Sequence, residues 1–137
     1  DNYMKKILIF IAILYLGTGA VYAMNEIDRD ELKCINSTSN YKEMMACTNK
    51  ARTQWEAEIE KYYQMLIGEL PDKELKNLTG SQNRWEKYKE AEFKMIDELL
   101  KKKVNIEGKT IACGLKKDIV KTRAIYLRDY HELFHED

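Results

Sequence analysis

From Asn40 onward the chain repeats apolar positions at steps of three and four. Met44, Thr48, Ala51, Trp55, Ile59, Tyr62 and Leu66 fall on one stripe of a helix. Asn40 suits the N-cap, with Glu43 placed to reach back in a capping box, and Gly68 and Pro71 close the segment. At 1.5 Å per residue, about 27 residues make this helix roughly 40 Å long. A second helix is predicted from an Asp72 N-cap through Leu75, Leu78, Trp85, Tyr88 or Lys89, Glu92, Ile96 and Leu99 to Lys101-Lys102-Lys103, whose charges suit a helix C-terminus. Gly80-Ser81 interrupts it early and predicts a kink or a close helix crossing. After a loop at Asn105 to Lys109, a third stripe runs through Ile111, Leu115, Ile119, Thr122, Tyr126 and Tyr130. Met24 to Ser39 is polar and aperiodic, and reads as a loop; no segment alternates like a strand.

Three amphipathic helices on short connections pack best as neighbours. The expected fold is all-α, an antiparallel up-down bundle of three long helices with a polar amino-terminal loop, forming a single domain over residues 24–137. The tryptophans and tyrosines are expected to supply most of the core volume, with Trp55 and Trp85 packing rather than binding.

The first residues follow a different pattern. Lys5 and Lys6 precede an apolar run from Ile7 to Leu16, thinned by Gly17, Gly19 and Ala20 before Val21-Tyr22-Ala23. These are the three parts of a secretory signal peptide, cleaved after Ala23, with Asp1-Asn2-Tyr3 as an extension ahead of a start at Met4. The expected location is periplasmic or secreted, with membrane contact only through this segment if it stays uncleaved. Charge names no partner: 23 basic and 23 acidic residues balance, and losing residues 1–23 leaves a net charge of −1. Nucleic-acid binding lacks both a basic patch and interleaved aromatic residues. In an oxidising compartment Cys34, Cys47 and Cys113 imply one disulfide and one thiol. Cys34 and Cys47, with 12 residues between them, are the expected pair because so short a loop closes at small entropic cost.

His131-Glu132-Leu133-Phe134-His135 matches H-E-x-x-H, which sets two imidazoles on one helix face beside a general base. A catalytic zinc needs a third protein ligand, usually from further downstream, and only Glu136 and Asp137 follow here. The expectation is therefore adventitious metal binding and not proteolysis, with no catalytic residues, no built metal site and no cofactor.

Cys34 and Cys47 flank Tyr41-Lys42-Glu43-Met44, and Tyr62-Tyr63-Gln64-Met65-Leu66 follows on the same helix. Then come Gln82-x-x-Trp85-x-x-Tyr88, Cys113 and Thr122-Arg123-Ala124. Over about residues 34 to 130 this pattern resembles the LprI-type lysozyme-inhibitor amino-terminal domain. The chain departs from it in two places: Lys89-Glu90 stands where the family has Arg-Asp, and Phe93 where it has a cysteine. The first loses a planar guanidinium fork, and the second removes the partner that the resemblance implies for Cys113.

The resemblance implies an exported, non-enzymatic binding protein that inhibits lysozyme by occluding its surface. The alternative is a structural or envelope-stress module with another envelope partner. Gln82, Trp85, Tyr88 and Arg123 carry the family motif. Glu56, Glu60 and Glu90 are candidate contacts for a basic protein partner such as lysozyme.

Overall fold

The computed structural model describes residues 25–102 and 104–136, so the signal peptide expected over residues 1–23 lies outside the described residues. Four helices make up the described chain: α1 (Glu26–Asn36), α2 (Tyr41–Glu69), α3 (Asp72–Leu100) and α4 (Ile106–Phe134). There are no strands among the described residues, and none of these helices is long and apolar enough to cross a membrane.

The extra helix corrects the expectation of three helices and a polar loop. Asn25 caps α1 by accepting from the Ile27 amide at 2.8 Å, and Glu26 and Asp28 occupy its first turn. No α1 residue is fully buried. The helix lies on the bundle through the Cys34–Cys47 disulfide, Ile27 at the core's edge, and the ion pairs Lys117–Glu31 at 3.0 Å and Lys121–Asp28 at 2.7 Å.

Chain direction follows from the side chains that meet. Asp28 and Glu31 pair with Lys121 and Lys117, so α1 runs antiparallel to α4. Lys116 pairs with Asp97 and Arg123 bonds Gln82, so α3 is antiparallel to α4 as well. Lys121 stacks on Trp55 while His131 reaches Tyr62 and Glu69, so α2 and α4 run side by side in parallel. Helices adjacent in sequence alternate in direction, and α4 touches the other three.

The core is a seam between α2 and α4, closed at one end by α3. Trp55, Ile59 and Leu66 face Val120, Ala124 and Leu127, and Leu78 joins them from α3. The predicted α2 stripe is the one that is buried. On α4 the predicted stripe is not: Ala112, Val120, Ala124 and Leu127 are inside, whereas Ile111, Leu115, Tyr126 and Tyr130 are exposed. Val120 and Leu127 are fully enclosed there, with Ala112 and Ala124 beside them, and this face holds the core in place of the predicted one. Trp55 is a core residue at 2% exposure, but the tyrosines do not fill the interior; Tyr88, Tyr126 and Tyr130 are on the surface.

Several local expectations are also corrected. Pro71 is the N-cap of α3, fixing an extended entry, and Asp72 falls in the first turn where its charge suits the dipole. Gly80 lies in an unbroken helix, and a Cβ there would meet only the Arg84 guanidinium at 3.8 Å, so it marks no close crossing. Asn40 caps α2 by accepting from the Lys42 amide at 2.9 Å, but Glu43 bonds the Thr38 hydroxyl instead of the Asn40 amide. The Asn40 amide itself donates to Thr38 Oγ1 at 3.0 Å. The loop before α4 lies earlier than predicted: α3 ends at Leu100, and Asn105 caps α4 by accepting from the Gly108 amide.

Burial acts to lower the pKa of Lys117, but hydrogen bonds to Glu31 and Asp118 and their charges outweigh it and raise the value above the ordinary 10.5. A raised folded value means that this ammonium's contribution is intact below the unfolded pKa and is lost as pH climbs through the folded one. Glu31→Gln is expected to cost about 1–2 kcal/mol at neutral pH, by removing a charge-assisted bond between largely buried partners. It should also flatten the fall in stability above about pH 10.5, relative to the unaltered protein. Urea unfolding at neutral and alkaline pH checks both; an identical alkaline slope in the variant would place the effect elsewhere.

Candidate functional site

The side of α4 that the core leaves out forms, with α3, an open groove of about 580 Å³. Trp85, Tyr88, Glu92 and Ile96 line it from α3, and Leu115, Ile119, Thr122, Arg123, Tyr126 and Tyr130 from α4, with Asp118 also on the wall. These residues recur at three- and four-residue steps on both helices, so two helical faces splay apart to make a trough. Met95, Leu99 and Ile111 extend the exposed apolar surface on the same two helices.

A polar network fixes the groove's floor. Arg123, only 6% exposed, donates from Nε to Gln82 Oε1 at 2.9 Å and from Nη1 to Ser81 Oγ at 3.3 Å. Gln82, also buried, passes the interaction on by donating from Nε2 to Glu86 Oε1 at 3.1 Å. Glu86 then pairs with Lys89 at 2.6 Å, and the Lys89 ammonium lies 4.8 Å from the Trp85 ring centroid. Arg123 stands 5.9 Å from the same ring, so two cations approach the indole. Burial pulls the Arg123 guanidinium below its ordinary range, with Tyr130 and Glu86 opposing, and it remains a cation at any physiological pH. Its Nη2 is buried and unpartnered, so the chain retains a donor here without a fully satisfied network.

The four motif residues therefore meet in space. Trp85 and Arg123 form the floor, Gln82 bonds Arg123 from behind it, and Tyr88, half-exposed, stands on the wall. Lys89, where the family carries arginine, supplies one of the two cations on Trp85. The acidic candidates are placed differently. Glu56 and Glu60 are exposed on α2, engaged with Arg52 at 3.8 Å and Gln64 at 2.9 Å. Glu90 is exposed on α3, two positions from both Tyr88 and Glu92, which turns it to the opposite side of that helix. None of the three lines the groove, whose acidic groups are Glu92 and Asp118.

The Cys34–Cys47 bridge is present and Cys113 is a free, partly buried thiol on α4. The H-E-x-x-H segment occupies the last turn of α4, and both imidazoles meet Glu69 at the end of α2. A third potential ligand group thus stands beside the two imidazoles, from far upstream in sequence.

Residues 34–127, more than two thirds of the chain, match the family described as lysozyme inhibitor LprI. The chain belongs to the LprI family. The match begins at the first bridged cysteine and ends at the core residue Leu127, so it takes in the bundle and the motif network. No curated protein is similar enough to count as a match. Among solved structures, an uncharacterized protein from Burkholderia thailandensis has the same fold, with a TM-score of 0.74 and 22% identity over 79% of this chain. The chain spans about half of that protein, 54% of its length.

Proposed function

We propose that this LprI-family protein is exported and binds a lysozyme, inhibiting it by occlusion with no chemistry of its own, and that the α3/α4 groove is the contact face. The observation that carries the reading is the coincidence of the family's motif residues with an exposed aromatic trough. Tryptophan, tyrosine and arginine are the side chains that most often dominate binding energy at protein interfaces, and the groove presents one tryptophan, three tyrosines and an arginine together. Glu92 and Asp118 give the trough acidic groups suited to a basic enzyme, so the chain's near-neutral overall charge is no obstacle. Glu56 and Glu60 on α2 remain candidates for a secondary contact.

The test is a turbidity assay of cell-wall lysis with the purified protein. Inhibition at micromolar protein, weakening as salt is raised, is the expected result. No inhibition at tens of micromolar against both animal-type and bacterial muramidases would sink the lysozyme reading and turn attention to another envelope partner for the same groove.

A further inference from the structure

We infer that Glu69, His131 and His135 form a binding site for a divalent first-row transition ion, with zinc as its representative, which clamps the end of α4 to the end of α2. The site is remote from the groove's floor and independent of the proposed inhibition.

Helix geometry provides the imidazole pair. His131 in the last turn of α4 and His135 at its C-cap are four residues apart, and their rings lie tilted at 41° with centroids 4.4 Å apart. The parallel packing of α2 and α4 then brings the last residue of α2 beneath them. Glu69 Oε2 is 3.2 Å from His131 Nε2 and 3.4 Å from His135 Nε2. All three potential ligand atoms lie within 4.8 Å of one another. Bonds of about 2.0–2.1 Å to a tetrahedral zinc put neighbouring ligand atoms about 3.3 Å apart. Two of the three edges already have about that length, and the third is no longer than 4.8 Å.

Two further observations point to an ion instead of an ordinary ion pair. His135 Nδ1 is 2.8 Å from the His131 carbonyl oxygen, a contact in which Nδ1–H donates and the Nε2 lone pair is left free. Metal-bound histidines are characteristically oriented by this kind of backbone bond through the other ring nitrogen. His131 Nε2 is buried, and its contact with Glu69 lacks the alignment of a hydrogen bond, so the atom has no partner in the protein. An ion at the centre of the triangle would satisfy it. Two imidazoles and one carboxylate select zinc-like ions over calcium or magnesium, which prefer all-oxygen shells.

The site is a clamp and not a protease centre. Glu132, the general base of the motif's enzymatic form, is exposed and lies 3.8 Å from the Arg128 guanidinium, outside the three-residue cluster. Three protein ligands leave one tetrahedral position, which water or a side chain of a bound partner can fill.

The experiment is calorimetric titration of zinc chloride into the purified, untagged protein, paralleled by thermal melts with zinc and with a chelator. One equivalent of zinc is expected to bind and to raise the melting temperature, with the chelator reversing the rise. Glu69 and His135 are exposed, so Glu69→Ala and His135→Ala retain the fold by circular dichroism, and each should weaken zinc binding at least tenfold. Absence of binding at about 100 μM zinc overturns the proposal. So does a loss of less than tenfold in either variant, which would assign the ion to another group such as the Cys113 thiol.

Discussion

Replacing both Cys34 and Cys47 with serine is expected to lower the unfolding free energy by about 3 kcal/mol and to release α1 from the bundle. The bridge closes a loop with a sequence separation of 13, and loops of this size give a stabilisation of that order through the entropy removed from the unfolded chain. Its structural effect is concentrated on α1. That helix has 11 residues, none fully buried, and isolated helices shorter than about 12–15 residues are marginal in water. Without the bridge, α1 depends on Ile27 and on two lysine-carboxylate pairs to α4. Hydrogen exchange should therefore show the α1 amides losing protection while α2 and α4 keep theirs. A loss of less than about 1 kcal/mol, with α1 amides still protected, would mean that side-chain packing alone seats the helix.

The same features explain why α1 was hard to read in the sequence. A helix whose inward positions are Ile27, Asp28, Glu31, Cys34 and Ile35 carries too few apolar residues for a periodic signal, because its attachment is ionic and covalent. α2 was legible because its apolar stripe and its buried face coincide: Thr48, Ala51, Trp55, Ile59 and Leu66 recur on one side and are inside. α4 carries two stripes. The bulkier one, through Leu115, Ile119 and Tyr126, gives the stronger periodic pattern and was assigned to the core. The one with Ala112, Val120, Ala124 and Leu127 holds the core, where Val120 and Leu127 are fully buried with Trp55, Ile59 and Leu66 of α2. Periodicity finds a helix; choosing between two apolar faces requires the partner.

The candidate site divides along the same line. The motif residues Gln82, Trp85, Tyr88 and Arg123 could be picked out by pattern, and the fold brings them together although 41 positions separate Gln82 from Arg123. The groove could not be read, because it consists of the α4 face expected to be buried. Glu69 was equally hidden: its carboxylate meets His131 and His135 only through the parallel register of α2 and α4, which no local spacing encodes. One cue was present, since a helix apolar on two opposite sides must be sandwiched or must keep one face for something outside its own fold.

Tyr126→Glu is expected to reduce inhibitory potency at least tenfold with little change in stability. Tyr126 is 54% exposed and lines the groove, so its replacement leaves the α2/α4 seam intact and should shift the unfolding free energy by no more than about 0.5 kcal/mol. At an interface, loss of a central tyrosine costs on the order of 2 kcal/mol, about thirtyfold in affinity, and a buried carboxylate among Trp85, Ile119 and Tyr130 adds a desolvation penalty. The opposite face supplies the control. Leu127→Ala opens a cavity in the fully buried seam, and should cost about 2–5 kcal/mol of stability while leaving potency near normal at temperatures where the variant stays folded. Urea unfolding and inhibition titrations on the two variants separate the faces of α4. If Tyr126→Glu inhibits as well as the unaltered protein while remaining folded, the α3/α4 trough is not the contact, and the exposed acidic side of α2 at Glu56 and Glu60 becomes the surface to test.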